Sequence, residues 1–140
     1  MKPNKKISLE DFSFKHEINT RWRDLDAFNH VNNATFLSYI EDARTLFFQR
    51  WETNFEEKSL IVASVKIDYI NQVKHPSTLI LGQKVSRLGT KSFDVQTAIF
   101  LKKSNQLICI STVTSVCYNF ILKKTIPIFD EIKEDYNLTT

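Results

Sequence analysis

An α+β domain, with a five-stranded antiparallel sheet wrapped around one long central helix, is what three features of this sequence predict. One segment, residues 33–51, carries a strong helical period with an apolar face too broad for a surface helix. Strand-like segments follow it almost without interruption, joined by short turns. The chain has 140 residues, 11 of them Phe, with only 2 Gly and 3 Pro. That is the length of one domain with ample core material, and it excludes collagen-like and low-complexity architectures.

Residues 1–13 read as a loose, polar lead-in to a single domain spanning residues 1–140. Residues 14–23 alternate enough for a first strand, and residues 24–33, rich in Asp and Asn, read as a loop. In the helix, 100° steps place Phe36, Leu37, Ile40, Ala43, Leu46, Phe47, Phe48 and Trp51 together, over an arc of roughly 200°. Ser38, Glu41, Asp42, Thr45 and Gln49 fill the remaining strip, and Asn32 or Asn33 can cap the start. Such a helix is about 28 Å long, and so broad an apolar face needs something to wrap around it, for which a curved sheet would serve. Residues 60–70, 78–88, 92–102 and 106–121 read as strands, with turns at residues 88–91 and 102–105. After Pro127, the stretch IFDEIKEDY has room for one or two turns of terminal helix. No internal repeat or linker interrupts this order. The open edges of such a sheet favour association with a second copy.

Composition narrows the function classes. The net charge is +3, from 19 basic and 16 acidic residues. That excess is small and dispersed, and aromatic and basic residues form no interleaved stripe, so nucleic-acid binding is disfavoured. No apolar run is long enough to span a bilayer, and the N-terminus lacks the apolar segment of a signal peptide. Cys109 and Cys117 stand eight residues apart in one expected strand, about 26 Å at strand rise, too far to bridge each other. No Cys/His pattern points to a metal site, and a reducing cytoplasm is the simplest setting.

The densest polar segment covers residues 21–33, between the first strand and the helix start. The first N–H groups of a helix are unpaired and carry positive dipole. A carboxylate and a histidine within one loop of them could activate water, or attack directly, while an oxyanion develops against the helix tip. The same Asp and Asn residues also serve simply as caps.

The segment DLDAFNHVNNATFLSYIEDAR resembles the signature of hotdog-fold acyl thioesterases, nearest to those like 4-hydroxybenzoyl-CoA thioesterase. VKIDYINQV and RLGTKSFDVQ match in kind and order, so the resemblance covers roughly residues 14–128. It implies a helix wrapped by an antiparallel sheet, a homodimer or homotetramer with active sites between subunits, an acyl-CoA substrate and no cofactor. Within D-x-x-x-H-V-N-N it assigns Asp26 as general base or nucleophile and the Asn33 backbone N–H as the oxyanion donor. His30 would orient Asp26 or the carbonyl, or else shape the loop. Glu41 corresponds to a catalytic glutamate of a sister lineage, although an ion pair with Arg44 at i+3 is the favoured reading. Asp24 is expected to pair with Arg21 or Arg23. Asn29 stands where a glycine is usual, which implies a positive φ. Phe28 replaces a polar member of the plant enzymes' set and implies an apolar wall beside the acyl group. Phe36, Leu37 and Ile40 would line that acyl pocket, and Thr90, Lys91 and Ser92 would meet the pantetheine and nucleotide.

Thioester cleavage suits so sparse a site. The leaving thiol has a pKa near 8.5, that of free cysteine, so one carboxylate and one oxyanion donor can suffice. An acyl-ACP thioesterase and a non-catalytic acyl-binding protein on the same scaffold are the alternatives.

Overall fold

The computed structural model describes residues 6–139. Its elements in chain order are β1 (Phe14–Asn19), α1 (Asn33–Gln49), β2 (Ser59–Tyr69), β3 (Thr78–Leu88), β4 (Ser92–Leu101), β5 (Leu107–Asn119), β6 (Lys124–Thr125) and α2 (Asp130–Thr139). The sheet is antiparallel, in the order β1-β3-β4-β5-β2, with β6 paired to β5. α1 therefore links one edge strand, β1, to the opposite edge, β2, and lies in the concavity of the curled sheet. The expected α+β class holds, with corrections at the margins.

The described part of the lead-in is not loose. Leu9–Asp11 form a short 3-10 turn, and Phe12 is 2% exposed. Phe12 packs against Gly82 so closely that a Cβ there would lie 2.7 Å from its side chain. A lone Phe among polar residues carries no periodic signal, so the contact was invisible in sequence. β1 stops at Asn19 rather than residue 23. The Thr20 Oγ1 accepts the Ser77 N–H at 3.0 Å and meets His75 Nδ1 at 2.8 Å, which turns the chain out of the sheet. β6 was not expected, and α2 runs ten residues rather than one or two turns. Ile132 of α2 is fully buried, and Asp135 accepts hydrogen bonds from Trp51 Nε1 and Arg50. Tertiary contacts thus extend a helix of weak intrinsic signal.

On α1 the inward face differs from expectation at three places. Leu46 is exposed, whereas Tyr39 and Arg44 are buried. The core falls into two parts. The first half of α1 packs Phe36, Tyr39, Ile40 and Ala43 on Leu79, Leu81, Ile99, Ile108, Cys109 and Val113. Phe47 of the second half, with Trp51 just beyond the helix, packs on Val85, Phe93, Val95, Cys117 and the start of α2. Between them runs a polar row of cross-strand neighbours, Gln83, Thr97 and Ser111. Both cysteines are buried free thiols; burial, the larger influence, pushes Cys109 up to about 12 and Cys117 up to about 11.

Candidate active site

The loop before α1 is built by its own polar side chains. Asp24 is 3% exposed and sits at the centre of an anchor. It accepts hydrogen bonds from Tyr39 Oη at 2.5 Å, from the Arg21 N–H at 2.8 Å and from the Arg21 guanidinium at 3.3 and 3.1 Å. The expected pairing of Asp24 with Arg21 is therefore found. Its carbonyl takes the Asn32 N–H at 2.9 Å, and the Val31 N–H reaches the Val73 carbonyl at 2.8 Å. These bonds fix where α1 begins.

Burial alone would raise the Asp24 pKa, but the hydrogen bonds from Tyr39 and Arg21 outweigh it and hold the carboxyl below its ordinary range. The unfolded chain then binds this proton more tightly than the folded one. The resulting stability is complete above the ordinary carboxylate pKa of about 3.9 and is lost as pH falls through the depressed folded value. Tyr39→Phe is expected to cost about 1.5–3 kcal/mol near neutrality. The difference from the parent should shrink in acid, where Asp24 is protonated in both proteins. Urea unfolding across a pH series measures this, and a difference that stays constant into strong acid would contradict it.

Asp26 closes a tight turn. Its Oδ1 accepts the Phe28 N–H at 2.8 Å and the His30 N–H at 3.3 Å, and its own N–H donates to the His30 carbonyl at 2.8 Å. Asn29 takes φ 64°, the left-handed conformation expected where a glycine is missing. The loop-to-backbone role of Asp26 is thus real, yet it occupies one oxygen only. Oδ2 has no hydrogen-bond partner among the described residues. Asn32 is the cap: its Oδ1 accepts the Ala34 N–H at 2.9 Å, and α1 starts at Asn33. Asn33 therefore presents a first-turn N–H, one of those that no intrahelical bond satisfies.

Asp26, His30, Asn33 and Phe36 line one pocket of about 440 Å³, together with Tyr69 and Asn71. The Tyr69 hydroxyl donates to the Asn33 carbonyl at 2.9 Å, tying the end of β2 to the helix start. Tyr69 and Asn71 were not singled out in sequence. They lie far along the chain from Asp26, and only the strand register brings them there.

The other expected residues lie elsewhere in the chain. Glu41 is exposed and sits 3.5 Å from Arg44 Nη2, the pairing favoured from spacing. Phe28 is 79% exposed at the loop tip, so within one chain it walls nothing. Leu37 is half-buried on the flank of α1, outside this pocket, and Ile40 is buried in the core. Thr90, Lys91 and Ser92 sit at the β3–β4 turn, at the far end of the sheet from Asp26; Ser92 Oγ accepts from Arg87 at 3.1 Å.

Comparison with known proteins bears on this geometry. The family model described as the thioesterase-like superfamily matches residues 20–135. YsmA of Bacillus subtilis (strain 168), an uncharacterized protein, is 34% identical over 83 residues, which is 58% of this chain and 56% of that one. The chain thus matches just over half the length of that relative. The long-chain acyl-CoA thioesterase FadM of Escherichia coli (strain K12) is 25% identical over 123 residues, covering 84% of this chain and 92% of that one. Among solved structures, a thioesterase from Thermus thermophilus, complexed with coenzyme A and Zn, superposes with a TM-score of 0.76 at 26% identity. That match covers 89% of this chain and 98% of the other.

Proposed function

The chain belongs to the thioesterase-like superfamily, and on that footing we propose that it is an acyl-CoA thioesterase, hydrolysing an acyl-CoA thioester to a free acid and coenzyme A. The observation that carries the reading is the shared pocket of Asp26 and the first turn of α1. Asp26 Oδ2 is the basic atom: with Oδ1 held by two backbone N–H groups, the carboxylate is oriented and its other oxygen remains open. It either takes a proton from water attacking the carbonyl carbon or attacks that carbon itself. The Asn33 N–H and the dipole of α1 stabilise the negative charge that develops on the carbonyl oxygen. The thiolate of coenzyme A then leaves, giving the free acid directly or, where Asp26 itself attacked, a mixed anhydride that water hydrolyses to the free acid and the regenerated carboxylate. His30 borders the pocket and acts by shaping the loop that holds Asp26. Glu41 is proposed only as a second carboxylate that would act from another subunit.

Coenzyme A is favoured as the carrier because FadM is named for acyl-CoA and the Thermus structure holds coenzyme A. A homodimer fits the open edge of β2, where Ile61, Val62, Val65 and Tyr69 are exposed on both faces. β2 runs from the Ser59 end, beside Cys117 and Lys91, to the Tyr69 end at the Asp26 pocket. Antiparallel pairing of two β2 edges would therefore carry a second copy's turn at residues 90–92 toward this pocket, where it could meet coenzyme A. Further association into a tetramer is open to the same test. No helix among the described residues is long and apolar enough to cross a membrane, and the buried free thiols suit a reducing cytoplasm.

The test is purified protein against acyl-CoA thioesters of varied length, aromatic acyl groups included, with free thiol followed and the oligomer sized in parallel. Thiol release with at least one of them is the expected result. Protein that is folded yet releases no thiol from any would refute the reading.

A further inference from the structure

The first turn of a helix is its loosest part, because its N–H groups have no intrahelical partner and its end frays. Stabilising a developing charge demands the opposite. A displacement of about 1 Å at the reacting centre can cost a hundredfold in rate. Asn33 opens α1, so its N–H needs support from outside the helix.

That support comes from residues 69–73, which are pinned to the sheet and touch both halves of the site. Tyr69 closes β2 opposite Cys109 of β5. Directly after it, the Ile70 and Asn71 N–H groups both donate to the Ile108 carbonyl, at 2.9 and 3.1 Å. Asn71 Nδ2 donates to the Leu107 carbonyl at 2.8 Å. Tyr69 is therefore tied to β5, which is itself held between β2 and β4. Further along the segment, the Val73 carbonyl accepts the Val31 N–H at 2.8 Å and so anchors the turn from Asp26 to His30. At its head, the Tyr69 hydroxyl donates to the Asn33 carbonyl at 2.9 Å. The Tyr69 ring meets that of Phe36, one helical turn along α1, at 6.0 Å between centroids, and Phe36 is buried. The ring is thus steadied by the core while the hydroxyl reaches the residue that carries the oxyanion donor. All these groups border the one pocket.

Resting on the thioesterase reading above, we propose that Tyr69 is a positioning residue for the reaction, its hydroxyl fixing Asn33 so that the Asn33 N–H stays in place relative to Asp26. The Val31–Val73 bond sets the carboxylate and the Tyr69–Asn33 bond sets the donor. One sheet-bound segment thereby fixes the gap that the thioester carbonyl must enter. Such support matters most in the transition state, where the carbonyl oxygen becomes an anion and the donor's placement counts for most. Tyr69 is 45% exposed, so loss of its hydroxyl opens no cavity in the core. The Asn33 carbonyl keeps the intrahelical bond of any first-turn carbonyl.

The experiment measures kcat and KM with the acyl-CoA thioester that the parent cleaves fastest, and Kd for free coenzyme A, in the parent, Tyr69→Phe and Tyr69→Leu. Melting temperatures are followed in parallel. Tyr69→Phe keeps the ring beside Phe36 and loses the donor alone. Its kcat should fall about ten- to a hundredfold. Its KM, its melting temperature and its Kd for coenzyme A, which lacks the thioester carbonyl, should stay near the parent's. Tyr69→Leu should lose at least as much kcat and some stability besides. Parent-like kcat in Tyr69→Phe overturns the proposal and leaves the thioesterase reading standing. So does a rise in KM and in the coenzyme A Kd at unchanged kcat, since Tyr69 would then bind the ligand rather than place the donor. A fall in kcat that comes with a lowered melting temperature and a raised KM marks general loosening and also overturns it. Failure of the parent to cleave any thioester overturns both readings.

Discussion

Asp26→Asn is expected to lower kcat by about a hundred- to ten-thousand-fold, the range for removing a positioned general base. The substitution is well suited to the site because Asn keeps an oxygen acceptor. The Phe28 and His30 N–H groups that bond Oδ1 can still do so, and the turn through Asn29 should survive. What is lost is the charge and the open oxygen. Asp26→Ala removes the acceptor as well, and it should add a loss of stability of about 1 kcal/mol or more to the loss of rate. Comparing the two separates the catalytic role from the structural one, since only the second should move the melting temperature appreciably. Thiol release by Asp26→Asn at the parent's rate would show the carboxylate to be a loop anchor alone.

Trp51→Ala is expected to cost about 3–5 kcal/mol, a large part of the stability of a domain this size. Trp51 is 1% exposed, directly beyond α1. Its ring meets Phe47 at 5.2 Å, Phe48 at 4.9 Å and Phe93 at 5.5 Å. Its Nε1 donates to Asp135 at 2.6 Å, so truncation both opens a cavity and unties α2. Trp51→Phe refills most of the volume without the N–H, and its smaller cost should report the Asp135 bond. Chemical denaturation of the three proteins measures the series. Equal stabilities for Trp51→Phe and Trp51→Ala would mean that the hydrogen bond, rather than packing, carries the effect.

Much of this was legible along the chain. Helix α1 was readable because its apolar positions recur at the helical period, and the strands because β-branched residues cluster between turns. The positive φ at Asn29 was implied by the family resemblance, because Asn stands where a glycine is usual and tolerates that conformation better than most residues. Legibility failed where a contact joins residues of unrelated spacing. Phe12 on Gly82 is such a contact, as is Asp135 under Trp51. Arg44 was read as the partner of Glu41, which is correct, but its burial beside the Phe48 ring was not foreseen.

Residue identity alone determined the α+β class, the span of the buried helix and the loop that carries Asp26, because these follow from local periodicity, capping and backbone preference. Which groups share a cavity was decided only in three dimensions. Strand register, a property of the whole sheet, set Tyr69 against Asn33 and aligned Gln83, Thr97 and Ser111 in one buried cross-strand row. Local chemistry names the groups able to act; long-range pairing selects which of them meet.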